Sequence, residues 1–216
     1  PAEFGANSMP QDFPRGYLQS WNFTVQRSVG MGFVAQAGYV ATRQVRQLGF
    51  FDINAGRPGG GNASRPLFSK FGRSTSTQFV QPIGTGTYDS LQASLSRSFA
   101  QGVQIGANYT WSKAIGICCN DNSDATPAIQ IPEYYHLNRS VTGYNRPHNL
   151  QITGLMELPF GAGRRYLNNG GVLSAIAGGW QVNGVFSAFS GLPFTVTSAA
   201  TSLNAPGNTQ RADLVK

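Results

Sequence analysis

Residues 87–113 read TYDSLQASLSRSFAQGVQIGANYTWSK, and this stretch predicts two antiparallel strands joined by a tight turn. In its second half, apolar side chains at odd positions alternate with polar side chains at even positions, from Val103 to Ser112. Alternation of period two over about ten residues is typical of a tilted strand that crosses a bilayer. The tripeptide Ala100-Gln101-Gly102 supplies the reversal, since glycine readily takes the positive φ that a short hairpin needs.

The same alternation recurs along the chain and predicts an all-β fold, an antiparallel up-and-down meander of about six strands. The predicted strands lie near residues 17–27, 33–43, 88–99, 103–113, 148–158 and 180–190. Two long irregular segments, residues 44–86 and 114–147, interrupt the meander, and residues 172–177, which lie between two pairs of glycines, predict a short helix. We interpret residues 1–216 as part of one β-barrel domain.

The connections between the predicted strands alternate in length. Residues 28–32 and 100–102 are tight turns, whereas residues 44–86 and 114–147 are long. Up-and-down order puts the short connections at one end of the sheet and the long ones at the other, as in outer-membrane barrels with short periplasmic turns and long outer loops. Because the smallest such barrels need about eight strands, we expect an incomplete segment of a large transmembrane β-barrel.

The composition favours a membrane sheet over a soluble one. Charged residues make up 12 % of the chain, which is about half the usual share of soluble domains. The polar faces of the predicted strands carry Ser, Thr, Asn and Gln, and no apolar run approaches the roughly 18 residues of a membrane helix. Aromatic side chains lie near strand ends, as interfacial girdles require. The membrane-interface candidates are Tyr17, Trp21, Tyr109, Trp111 and Trp180.

Arg97 tests this interpretation, because it falls on the apolar face of its strand. An arginine at the bilayer centre would cost about 2–4 kcal/mol. The strand reaches Phe99 and the turn two residues later, so the side chain can extend to the lipid headgroups. We therefore expect Arg97 at the interface on the side of the tight turns.

The first long segment is rich in cations, and Asp52 is the counter-charge among them. The cations are Arg43, Arg46, Arg57, Arg65, Lys70 and Arg73. Either this is a solvated loop, or it contacts lipopolysaccharide phosphates or an anionic ligand, since guanidinium groups match phosphate oxygens. Nucleic acid is a poorer partner, because the aromatic residues that stack on bases lie in strands and not between the cations.

The sequence contains few residues of the types that commonly act in catalysis or metal binding. His136 and His148 have no Cys or carboxylate at ligand spacing, and Glu133 and Asp124 share a loop with His136 without a scaffold to orient them. The adjacent Cys118-Cys119 could form a vicinal disulfide or bind a soft metal, although two loop cysteines without a site are the simpler interpretation. We expect no catalytic residue, no metal, no cofactor and no enzymatic activity.

Four stretches, taken in order, carry a family resemblance. They are YLQSWNFTVQRSVGMGFVAQAGYVATR at 17–43, TYDSLQASLSRSFAQGVQIGANYTWSK at 87–113, NRPHNLQITGLMELPFGAGRRYL at 145–167 and GGWQVNGVFSAFSGLPFTVT at 178–197. Together they resemble the carboxyl-terminal barrel of TonB-dependent outer-membrane receptors of the Oar-like group, which carry a carboxypeptidase-regulatory-like domain. One departure is Tyr144-Asn145-Arg146-Pro147-His148, where that family often has Asp-x-Arg-His.

This resemblance implies a barrel of about twenty-two strands around a plug, in the outer membrane of a Gram-negative cell. It implies energised uptake of a large solute, and a TonB complex that engages a part of the protein outside this sequence. Lipid and lipopolysaccharide of the outer membrane are the implied neighbours, and the long loops would capture the solute.

Two alternatives share parts of the pattern. A soluble or secreted β-sandwich that binds carbohydrate through Tyr and Trp would bury the apolar face against a second sheet. A non-transporting outer-membrane adhesin would have the same barrel without a plug or a TonB box. Partition between buffer and detergent separates the sandwich from the barrel.

Overall fold

The computed structural model describes residues 5–117, 127–198 and 202–211. Six long strands form one antiparallel sheet in the order β2-β3-β4-β5-β7-β8, so the predicted all-β meander is confirmed. The strands are β1 (Ala6–Ser8), β2 (Tyr17–Gly30), β3 (Phe33–Asp52), β4 (Thr77–Ala100), β5 (Val103–Gly116), β6 (Ser140–Val141), β7 (His148–Glu157), β8 (Gln181–Phe189), β9 (Thr197–Ser198) and β10 (Gln210–Arg211). The helices are α1 (Phe68–Phe71) and α2 (Val172–Ala177), with 3₁₀ turns η1 (Gly61–Ser64) and η2 (Pro132–Asn138).

The register of the six long strands keeps each face uniform across the sheet. One row of directly paired residues runs through Val25, Ala37, Ala93, Tyr109, Leu150 and Ala188. The next row runs through Gln26, Gln36, Ser94, Asn108, Gln151 and Ser187. Because side chains alternate between the two sides of a strand, the first row defines an apolar face and the second a polar, uncharged face.

The apolar face is open to its surroundings. Phe23 is 71 % exposed, Val25 is 56 % exposed and Phe186 is 55 % exposed. Among the described residues the only other sheet is the two-stranded pair of β9 and β10, which is too small to cover six strands. A sandwich would bury these side chains in a core, so the exposed face contradicts the sandwich alternative and suits contact with lipid.

The tight turns lie at one end of the sheet, which we call the turn end, and the long connections lie at the other, the loop end. At the turn between β4 and β5, Gln101 has φ 53° and Gly102 has φ 77°. Two consecutive positive φ values describe a type I′ hairpin turn, whose twist matches that of the flanking strands. The predicted role of Gly102 is confirmed.

Arg97 lies at the turn end, as predicted. Its guanidinium carbon is 5.5 Å from the centroid of the Phe33 ring, and its Nη2 donates a hydrogen bond to Oε1 of Gln101 at 3.4 Å. The side chain therefore runs from the apolar face towards the turn, which keeps its charge away from the centre of the sheet.

The first long segment is shorter than residues 44–86. Strand β3 continues to Asp52 and β4 begins at Thr77, so an extended hairpin projects beyond the apolar face. The register shifts between Gln44 and Gly49, and Arg46 there has φ 58°. Such irregularities interrupt the regular alternation of side chains along both strands, and the alternation that marks a strand in the sequence therefore stops at this point.

The second long segment, predicted as residues 114–147, also contains regular structure. β5 continues to Gly116, where β6 pairs with it, and η2 forms a 3₁₀ turn. The buried Asn145 accepts a hydrogen bond from the backbone N–H of Ala114 at 2.7 Å through its Oδ1. The amide side chain thus continues the β5 ladder where backbone pairing is irregular.

At the turn end, the connection from β7 to β8 contains α2, at the position predicted for a short helix. Its final turn meets Trp180, whose indole Nε1 donates to the carbonyl oxygen of Ile176 at 2.7 Å. A Cβ on Gly161, which has φ +107°, would lie 2.7 Å from the Cα of Gly178. Only glycine permits this close approach. No helix in the described part of the chain is long and apolar enough to span a membrane.

Candidate functional site at the loop end of the sheet

Three segments meet at the loop end and form one packed unit, which we call the cap: residues 52–76, 127–138 and 203–211. Backbone N–H groups of the first segment bond the third, from Gly56 to the carbonyl of Pro206 at 2.7 Å and from Gly59 to that of Leu203 at 2.7 Å. The second and third segments are joined in the same way. The long loops therefore have a defined shape, which can present a binding surface.

Asp52 joins two of these segments to the sheet. Its side chain is buried, and its Oδ1 accepts hydrogen bonds from the backbone N–H groups of Asn54 and Thr77, each at 2.9 Å. Its own backbone N–H donates to Oε1 of Gln130 at 2.9 Å. A carboxylate in this position closes the β3–β4 hairpin, because it satisfies two donors that the ladder leaves unpaired.

Asn54 lies at the centre of the first segment and is completely buried. Its Nδ2 donates to the carbonyl oxygens of Arg73 at 3.1 Å and Thr75 at 2.8 Å, and its Oδ1 accepts from the N–H of Leu67 at 2.9 Å. One amide side chain thus forms hydrogen bonds with three backbone groups of a loop. In a strand, a neighbouring strand would supply such partners.

Two further amides hold the other segments. Asn208 accepts from the N–H of Gln130 at 2.8 Å and donates to the carbonyl of Gly56 at 2.9 Å. Asn138 accepts from the N–H of Ile129 at 2.9 Å and donates to the carbonyl of the same residue at 2.8 Å. The cap is therefore built around buried polar side chains and has only a small apolar core.

Two of the predicted anion-contacting cations, Arg65 and Arg73, donate hydrogen bonds within the protein instead of facing outward. Arg65 is buried and donates through Nη1 to the carbonyl of Asn54 at 2.7 Å, with Asp52 Oδ2 at 3.9 Å. Arg73 donates to Oγ1 of Thr77 at 2.6 Å and, at 3.1 Å, to the carbonyl of Ser76. Both guanidinium groups connect backbone and side chains within the fold.

The other four cations are exposed and lie in different places. Arg57 pairs with Glu133 at 2.5 Å, across two segments of the cap. Arg43 and Arg46 lie on β3 above the apolar face, and Lys70 lies in α1. The six predicted residues therefore do not form one cluster, and Arg43, Arg46 and Lys70 are the ones placed to meet an external anion.

We predict that replacing Arg43, Arg46 and Lys70 together by Gln weakens binding of purified lipopolysaccharide about tenfold, because exposed cations supply most of the attraction to phosphate groups. The measurement is lipopolysaccharide binding by the purified protein at low and high salt. The matched control replaces Arg164 and Arg165 by Gln at the turn end. Equal binding by both variants and the parent protein would reject an anion-binding role for these three cations.

Glu133 makes the Arg57 pair sensitive to pH. A hydrogen bond from its own backbone N–H lowers the pKa of this carboxyl below its ordinary 4.5, and the charge of Arg57 lowers the pKa further. A carboxyl with a depressed pKa in the folded state stabilises that state above its unfolded pKa, and the contribution is lost as the pH falls through the folded pKa.

We therefore expect the cap to become more susceptible to protease as the pH falls below 4.5. The measurement is limited proteolysis with a protease active in acid, read at residues 127–138. The Glu133→Gln variant should lose part of this pH dependence. An unchanged profile in the variant would show that other carboxyl groups control the transition.

Tyr135 packs the second segment against the end of β3. Its ring meets Phe51 edge to face, with centroids 6.1 Å apart, and burial raises the pKa of its hydroxyl to about 12. The phenol is therefore neutral at physiological pH and acts as an apolar contact between the sheet and the cap.

Four of the five predicted interfacial aromatics lie towards the ends of the apolar face. Tyr17, Trp21 and Trp111 lie towards the loop end, and Trp180 lies at the turn end. Tyr109 differs, because it lies in the central row of the apolar face between Ala93 and Leu150, and its hydroxyl is 2.8 Å from Nδ1 of His148. Four of the five predicted residues therefore lie towards an end of the apolar face, where interfacial rings are expected, and Tyr109 does not.

The described residues contain no group of three or more His, Cys, Asp or Glu that could hold a metal ion. His148 lies at the start of β7 beside Tyr109, and His136 is exposed in η2. Cys118, Cys119 and Asp124 lie outside the described residues.

Sequence reasoning missed Asn54, Asn138 and Asn208, which hold the cap. A signal was present, because Asn within segments rich in Gly and Pro is typical of side-chain-to-backbone bonds in turns. That signal is common to many exposed turns and does not distinguish a buried amide from a solvated one.

A family model described as "Outer membrane beta barrel domain" matches residues 1–216. No curated protein and no solved structure matches the chain. The matched range includes both the sheet and the cap.

Proposed function

Since this chain belongs to the outer membrane beta-barrel domain family and is located in the outer membrane, we propose that it forms part of the wall and the outer cap of a TonB-dependent transporter. In this proposal the apolar face meets lipid and the polar face lines the lumen. The turn end is periplasmic and the loop end is extracellular, in accordance with the lengths of the connections. The proposal assigns no catalytic step to the chain.

The polar face carries this proposal. Its central row consists of Gln, Ser and Asn on all six long strands, without a charged residue. Uncharged hydrogen-bonding side chains suit a hydrated lumen next to a plug, since they can bond water and a protein surface alike. Among the described residues no further strand pairs with the outer edges of β2 and β8, and such an open sheet suits a wall that further strands continue.

The cap supports the same proposal. Transporters need an external surface that holds a solute before it enters the barrel, and loops of defined shape provide one at low entropic cost. Here the amides of Asn54 and Asn208 and the carboxylate of Asp52 hold the three segments of the cap in place. The cap therefore suits solute capture better than mobile loops would.

The test uses the full-length gene product, purified in detergent. We expect it to bind the periplasmic domain of TonB, and a peptide with its TonB-box sequence should compete for this binding. Absence of binding, together with an upstream coding sequence that lacks a plug and a TonB box, would overturn the proposal in favour of a non-transporting adhesin.

A further inference from the structure

The cap contains an open cavity of about 540 Å³ between η2 and the segment that ends in β10. This volume lies within the range of small-molecule sites, which is about 300–1,000 Å³. The wall is mostly apolar and includes Ile129, Ile131, Tyr134, Leu137 and Leu203. Exposed apolar groups gathered around a concavity, at the end that faces the exterior, indicate a ligand with an apolar body.

The polar groups at this cavity are mostly engaged with the protein. Asn208 bonds Gln130 and Gly56, and the side chain of Gln210 bonds the hydroxyl of Ser202. Arg211 differs, because its Nε is buried and has no hydrogen-bond partner in the described structure. Arg211 lines the cavity, and the described structure gives its guanidinium no ion pair, so this group can supply the positive charge that an anion at the cavity needs.

We infer that this cavity binds a small amphipathic carboxylate, with its apolar body against Ile131, Tyr134 and Leu137 and its carboxylate at the guanidinium of Arg211. This inference rests on the proposed function and specifies the class of solute that the cap captures. A planar guanidinium donates two parallel hydrogen bonds to a carboxylate. This pairing selects a negatively charged ligand and fixes its orientation.

The experiment measures binding of 4-[4-(trifluoromethyl)phenyl]butanoate to the full-length protein in lipid nanodiscs by ¹⁹F NMR. The corresponding neutral amide is the matched control ligand. We expect the carboxylate to bind about tenfold more tightly than the amide, because only the carboxylate gains charge-assisted hydrogen bonds. Arg211→Gln should remove that difference, and Arg211→Lys should keep part of it.

Leu137→Asp tests the apolar wall and should weaken binding of both ligands. Arg164→Gln, at the turn end, should change neither. The inference is overturned if the carboxylate and the amide bind equally to the parent protein, or if Arg211→Gln leaves the difference intact. Binding of TonB is measured separately, so failure of the cavity to bind ligand is distinguishable from failure of the proposed transport function.

Discussion

Replacing Ala93 by Lys should destabilise the membrane-inserted protein by about 2–4 kcal/mol, the cost of a lysine near the middle of the lipid-facing surface of a barrel. Ala93 lies in the central row of the apolar face, between Ala37 and Tyr109. It is equally distant along β4 from Arg97, on its turn-end side, and from Asp89, on its loop-end side. A lysine at this depth reaches neither interface easily, and its charge is therefore poorly solvated.

Two control variants separate charge from size and from position. Ser94→Lys places the same charge on the polar face one residue away, where water and polar side chains solvate it, and should change stability by less than about 0.5 kcal/mol. Ala93→Leu enlarges the side chain without charge and should be tolerated. The measurement is urea-induced unfolding of the full-length protein in lipid vesicles. Equal destabilisation by Ala93→Lys and Ser94→Lys would mean that the two faces are assigned wrongly.

Replacing Asn54 by Ala should unfold the cap while the barrel stays folded. The substitution leaves the N–H of Leu67 and the carbonyls of Arg73 and Thr75 without their partner. Each buried backbone group left unpaired costs roughly 1–3 kcal/mol. Because the cap buries few apolar side chains, this loss is comparable with the stability of the unit itself, and we expect local opening.

Hydrogen exchange of the full-length protein, measured by mass spectrometry, reports this opening. Residues 52–76 should lose protection in the Asn54→Ala variant, whereas peptides from β5 and β7 should keep theirs. The control is Asn168→Ala at the turn end, where an exposed amide accepts one bond from Gly163 at 2.8 Å. That variant should lose less than about 1 kcal/mol. Intact protection of residues 52–76 after loss of Asn54 would show that other contacts hold the cap.

Much of the sheet could be predicted from local pattern. The alternation at residues 103–113 predicted both faces of β5, the sequence Gln101-Gly102 predicted the turn, and the spacing of glycines predicted α2. These predictions succeed because strand faces, hairpin turns and short helices depend on side chains that are close in sequence. Arg97 could be placed for the same reason, since its distance from the turn is set by the strand.

The part of the β3–β4 hairpin near the loop end could not be predicted from local pattern. Between Gln44 and Gly49 the register shifts by one residue and then returns, which interrupts the regular alternation of side chains on both strands. Pairing of β3 with β4 nevertheless continues to Asp52 and Gln78. A bulge is stabilised by the partner strand and not by a local residue pattern, so the strand extends where the alternation ends.

The sequence by itself determined the meander, the division into an apolar and an uncharged polar face, and the separation of short turns from long loops. Each of these follows from residue spacing along one strand or turn. Only the tertiary structure decided that the long loops form a cap, that Arg65 and Arg73 point into it, and that Arg211 borders an apolar cavity. These features join residues far apart in the chain, as Asn208 and Gly56 show. Whether a polar side chain is solvated or buried depends on which segments pack around it.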